Sequence, residues 1–118
     1  MDAALRSLMR STVTVRRVAG LSPTGTETLS APVSLAAYVE QRRENAVVSG
    51  GVERRTSHLV VLDHADVAAS TLGIIQPEDR FWLEDDDTAN ETRSRRPEGV
   101  ASFKDPITGS RSHWEVTL

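Results

Sequence analysis

The chain has 118 residues and a mass of 12.9 kDa, close to the usual size of one domain; two independent cores would each bury too little surface. Hydrophobic residues make up 38% and aromatics 4%, which is too much, and too clearly patterned, for a disordered chain, and predicts a thin aliphatic core that gains by burial against another chain. The absence of cysteine excludes disulfides and thiolate metal sites, and a net charge of -3 excludes a uniformly basic nucleic-acid footprint.

Asp2 to Met9 sets Leu5, Leu8 and Met9 at helical spacing behind a capping Asp2, predicting a short N-terminal helix. No apolar run reaches signal-peptide or membrane-span length, so the chain reads as soluble, unprocessed and without a membrane partner; the sequon Asn90-Glu91-Thr92 is discounted for the same reason. Thr12 to Val18 alternates as a strand, and the Gly/Ser/Pro/Thr-rich stretch from Gly20 to Pro32 reads as a long mobile loop.

From Val33 the period of two is explicit: Val33, Leu35, Ala37 and Val39 fall on one face, Ser34, Tyr38, Glu40 and Arg42 on the other. Thr56 to Asp63 carries Leu59-Val60-Val61-Leu62, a strand covered on both faces. Between them Gln41 to Arg55 is broken at Gly50-Gly51, a dipeptide suited to a type I′ turn, so the region from Leu35 to Asp63 reads as one long hairpin. Asp63 then caps a single helical turn ending by Thr71. Pro77-Glu78-Asp79 turns into a strand over Arg80 to Leu83, and the acidic run Glu84 to Asp87, followed by Arg93, Arg95 and Arg96, reads as an exposed, partly self-neutralising loop. Gly99 to Lys104 and His113 to Val116 are the last strands, joined by the turn Asp105-Pro106-Ile107-Thr108-Gly109, with Trp114, Val116 and Leu118 on one face. The sum is a single mainly β domain over 1–118: a small barrel or sandwich with a short N-terminal helix and a protruding hairpin at 41–56.

No catalytic, cofactor or metal site emerges, and the chain reads as a non-enzyme. On an extended segment His64 and Asp66 share a side that Asp63 does not, and no third zinc-type ligand follows. Ser49-Gly50-Gly51 lacks the strand-to-helix setting of a nucleophile elbow and the lysine of a phosphate loop, and Asp85-Asp86-Asp87 lacks the glycine of a calcium loop.

Charge at the hairpin tip is the remaining signal. Arg42-Arg43-Glu44 is mirrored by Glu53-Arg54-Arg55, a local sum of +2 against -5 for the rest of the chain. Pairing symmetrical about Val48-Ser49 would set arginine opposite arginine and glutamate opposite glutamate, which destabilises; a turn at Gly50-Gly51 shifts the register and relieves it. Such charge protects strand edges from aggregation, or awaits external anions, either carboxylates of neighbouring subunits or nucleic-acid phosphates. Thirteen of the fourteen basic residues are arginine, as a GC-rich genome or bidentate anion contacts would each favour.

Three stretches together resemble the small head-completion, or stopper, proteins of the head-to-tail connector of long-tailed bacteriophages: the strand-hairpin-strand from Leu35 to Asp63, the turn-plus-strand Ile75-Gln76-Pro77-Glu78-Asp79-Arg80-Phe81-Trp82-Leu83, and the closing Gly109 to Leu118. They span about two thirds of the chain; the segment Glu84 to Glu98 departs from the tight Asp-Gly turn usual in that family. The resemblance implies a small β-barrel repeated in a ring of six or twelve copies in the virion neck, assembled in the cytoplasm of a bacterial host. It implies a portal or adaptor above, a tail terminator or tail tube below, and genomic DNA in the channel. Arg42, Arg43, Glu44, Glu53, Arg54 and Arg55 would belong to a gating loop meeting DNA or adjacent copies. The alternative from the residues alone is a nucleic-acid-binding barrel of OB or Sm-like type, which the scarcity of rings for base stacking disfavours.

Overall fold

A computed structural model of the chain describes residues 3–118, with the side chains at 44–46, 48 and 53–55 outside the described set. The capping role expected of Asp2 also lies outside the described residues. The elements run in the order α1 (Ala3–Ser7), β1 (Ser11–Arg16), β2 (Val18–Leu21), β3 (Glu27–Leu29), β4 (Val33–Val48), β5 (Gly51–Asp63), α2 (His64–Ala69), β6 (Arg80–Trp82), β7 (Gly99–Lys104) and β8 (Arg111–Thr117). Six strands form one antiparallel sheet in the order β6-β1-β4-β5-β8-β7, and β2 and β3 form a separate hairpin.

The sheet curls into a half-barrel. Its two edges are joined by the chain itself: Phe81 of β6 exchanges both backbone hydrogen bonds with Arg95, at 2.9 and 2.8 Å, and three residues later Glu98 donates to Thr117 at 2.7 Å as the chain enters β7 on the opposite edge. Arg95 therefore covers edge groups of β6 that an open sheet would leave to other chains, and Glu98 extends the β7–β8 ladder by one bond.

Alternation fills the inside. Val13 and Val15 of β1, Leu35 and Ala37 of β4, Val60 and Leu62 of β5 and Trp114 and Val116 of β8 face one another, with Phe81 from β6 and Val67 of α2 among them. Val61 and Trp82 are buried on the other face, so the apolar run of β5 is covered on both sides as its sequence implies. Trp82 owes its burial to the loop that follows it, whose Asn90 carbonyl accepts from the indole Nε1 at 3.2 Å.

Helix α2 is short and starts where expected, with the Asp63 carboxylate accepting from the Ala65 N–H at 3.0 Å. Arg6 of α1 reaches over to Asp63 at 3.0 Å and to Asp66, tying the N-terminal turn to α2. The loop from Ser70 to Asp79 closes the core by burying Leu72 and Ile75, and it is held by a fully buried carboxylate. Asp79 accepts from Arg17 Nε and Nη2, both at 3.0 Å, and from the Gln76 N–H at 2.8 Å, while Arg17 also donates to the Leu72 carbonyl at 2.6 Å and to that of Ile74.

Two expectations need correction. Residues 20–32 are not one long loop: β2 and β3 pair there, closed by a turn in which Ser22 donates to the Thr26 carbonyl at 2.7 Å and the Ser22, Thr24 and Thr26 hydroxyls bond one another, with Gly25 at φ 84°. Hydroxyl side chains supply local hydrogen bonds that a composition-based reading scores only as loop. The hairpin turn is also displaced, since Val48 pairs with Gly51 and the two loop residues are Ser49 and Gly50. Gly50 has φ 98° but Ser49 is not in the positive-φ region, so the turn is not type I′.

Candidate functional site: the arm and the cleft at its root

β4 and β5 are paired over twelve positions, from Ala37↔Leu62 to Val48↔Gly51. Their neighbours stop early: the register of β1 on β4 ends at Ser11↔Ala37, and β8 follows β5 only as far as the Leu118–His58 backbone pair. Beyond Gln41↔His58 the two strands form a ribbon without flanking strands, seven residue steps long, or about 24 Å at strand rise. The radius of gyration, 15.8 Å, reflects it, since a compact chain of this length has about 13.5 Å.

The register decides how the arm's charge is arranged. Glu44 stands opposite Arg55, Arg43 opposite Thr56 and Asn45 opposite Arg54, so the clash of like charges expected from a symmetrical hairpin is absent from the backbone pairing. Alternation then divides the arginines between two faces. Positions 41, 43, 45 and 47 continue the file of Leu35, Ala37 and Val39, and positions 58, 56, 54 and 52 continue that of Leu62 and Val60. This barrel-side file reads Gln41, Arg43, Asn45, Val47 against His58, Thr56, Arg54, Val52, with two cations and no acid. The opposite file holds Glu40, Arg42, Glu44, Glu53 and Arg55, and Arg42 Nη2 meets Glu40 Oε2 at 3.4 Å. The tip carries the exposed pair Val47 (89%) and Val52 (67%), directly opposite each other.

At the root of the arm lies a cleft of about 320 Å³, lined by the aliphatic Val39 and Leu83, by Gln41 and His58, and by the acidic run Glu84–Asp86 with Arg95. Arg95 grips Asp86 in a fork, Nε to Oδ2 at 2.9 Å and Nη2 to Oδ1 at 3.2 Å, and the Leu83 N–H donates to Asp86 Oδ2 at 2.9 Å. Hydrogen bonding to Arg95 holds the Asp86 carboxyl below its ordinary range. Burial, reinforced by the Arg95 charge, lowers the His58 imidazole, and its Nδ1 is buried without a hydrogen-bond partner. Glu84 and Asp85 are exposed, and no ion pair engages them among the described residues.

The structure places Arg42 and Arg43 on the arm and sets the backbone of Glu44, Glu53, Arg54 and Arg55 in its outer half; the side chains of those four lie outside the described residues. The sequence reading missed the cleft. Its only local signal is Leu83-Glu84-Asp85-Asp86 at the end of a strand, and His58 and Gln41 join it through a pairing register that no local pattern reveals. The acidic and basic runs are also less solvated than expected, because Asp86 clasps Arg95 and Glu27 holds Arg96 at 3.1 Å and Arg80. Asp63 serves as a helix cap, and the His64 ring stacks on Trp114 at 6.3 Å.

Comparison with known proteins gives no match: no family model fits the sequence, and neither the curated proteins nor the solved structures yield a significant similarity.

Proposed function

We propose that the chain is a structural subunit of a phage head-to-tail connector ring, which closes the DNA channel after packaging and offers the surface on which a tail docks. The observation that carries this reading is the arm. A thin barrel that extends about 24 Å of ribbon without flanking strands leaves the outer backbone edges of that ribbon unpaired by any described strand, and a ring of copies gives them a use. The resemblance of the hairpin, the Pro77-Glu78-Asp79-Arg80 turn and the closing strand to head-completion proteins supports the same reading. The mechanism is steric and electrostatic, with the arms narrowing the channel and the barrels forming its wall.

A nucleic-acid-binding barrel finds less support, because Phe81, Trp82 and Trp114 are buried in packing and Phe103, 41% exposed, is stacked on His113 at 5.1 Å.

The test is complementation of particles that lack the chain, using a variant in which a two-residue turn replaces residues 42–57. Heads that package DNA but lose it and fail to hold tails are expected. Fully infectious particles carrying the shortened chain would overturn the reading.

A further inference from the structure

We infer that the barrel-side face of the arm is a docking surface whose occupant is the acidic cleft of a second copy of this chain. The inference rests on the ring reading and deepens it by naming the contact between neighbours. Two surfaces of one molecule are complementary in the same two respects. By register the barrel-side file of the arm holds Arg43 and Arg54, of which Arg43 is exposed, and ends in the exposed Val47–Val52 pair. The cleft offers the exposed carboxylates of Glu84 and Asp85, unengaged among the described residues, next to the aliphatic Val39 and Leu83.

Each copy therefore carries a cationic-plus-apolar element and an anionic-plus-apolar one. Such a pair joins head to tail and leaves both elements free for the next copy, which is the arrangement that closes into a ring. Within one copy the match is not available: Gln41 and His58 line the cleft and are also the first pair of the arm, and a paired ribbon does not fold back on its own root. The valine tip argues for a protein partner, since an apolar pair gains nothing from a solvated phosphate backbone whereas it is covered by Leu83 and Val39 of a neighbour.

The experiment is analytical ultracentrifugation of the full chain over a concentration series, with two charge-reversed variants: Arg43→Glu/Arg54→Glu on the arm and Glu84→Arg/Asp85→Arg on the cleft. Arg43, Glu84 and Asp85 are exposed and position 54 lies in the ribbon beyond the flanking strands, so both variants fold, as circular dichroism verifies. Each variant alone is expected to associate at least tenfold more weakly than the unaltered chain. A one-to-one mixture of the two recovers association, because each arm then meets a cleft of opposite sign.

Self-association that neither reversal weakens overturns the contact and leaves the ring reading standing. Loss without recovery in the mixture overturns it as well. So does an unaltered chain that stays monomeric at every concentration, in which case the ring reading stands or falls on the complementation assay alone. Loss of duplex DNA binding in the arm variant, with self-association unchanged, would assign the arginines to phosphate instead.

Discussion

Replacing Arg17 by alanine removes the counter-charge of a carboxylate that has no access to water. Asp79 is 0% exposed, and Arg17 supplies two of its hydrogen bonds at 3.0 Å while also serving the Leu72 and Ile74 carbonyls. Breaking one side of a buried ion pair costs about 3–5 kcal/mol; Arg17 keeps 23% of its side chain exposed, so water reaches part of the vacated site and the lower end, about 3 kcal/mol, is expected. With an unfolding entropy of about 2.1 cal/mol/K per residue, 118 residues give about 250 cal/mol/K, so the melting temperature falls by about 12 °C. Urea unfolding followed by circular dichroism and a thermal melt measure the two quantities independently. Adding Asp79→Asn to Arg17→Ala restores about 1–2 kcal/mol, because the neutral amide still accepts from the Gln76 N–H and no longer buries a bare charge. A double variant less stable than Arg17→Ala alone would refute the assignment of Asp79 as a buried anion held by Arg17.

The cleft predicts a pH dependence with a definite sign. Asp86 has a folded-state pKa below its unfolded one, so its contribution is present above the unfolded carboxylate range and is lost as pH falls through the depressed value; Asp86→Asn flattens that acid limb in melts below about pH 4. His58 is lowered as well, so its contribution is complete above about pH 6.5 and declines below it, and His58→Gln removes that component from melts at pH 5 to 7. Gly50→Ala forces a Cβ onto a residue at φ 98° and costs about 1–2 kcal/mol locally; faster amide exchange in the arm, with exchange in the barrel strands unchanged, is the expected readout. Joining Gln41 to His58 through Asn-Gly removes the ribbon without touching a core side chain, so the melting temperature stays within about 4 °C of the full chain.

The strands whose side chains alternate cleanly were legible before any coordinates. Leu35 and Ala37, and Trp114, Val116 and Leu118, are buried on the faces their spacing assigns, Val60, Val61 and Leu62 are buried on both faces of β5, and Asp63 caps the helix it precedes. Long-range pairing was not legible. The sequence contains Arg42-Arg43-Glu44 and Glu53-Arg54-Arg55, but which charge faces which depends on the turn: with Ser49 and Gly50 in the loop in place of Gly50 and Gly51, Glu44 stands opposite Arg55 instead of Ser57. The clasp of Arg17 on Asp79 joins residues 62 apart, and the covering of the β6 edge by Arg95 depends on the path of a loop that reads locally as mere charge. In both cases the decisive contact is made by a side chain or backbone group whose sequence neighbours give no hint of its partner.

An electron cryomicroscopy map of the assembled particle containing this chain tests the central claim most directly. A closed ring of barrels between head and tail is expected, with residues 41–56 directed toward the channel axis or a neighbouring copy and Arg43 near the Glu84–Asp85 edge of that neighbour. A map in which the chain is absent from the neck, or in which Arg42, Arg43, Arg54 and Arg55 all face bulk solvent on the outside of the assembly, would contradict it.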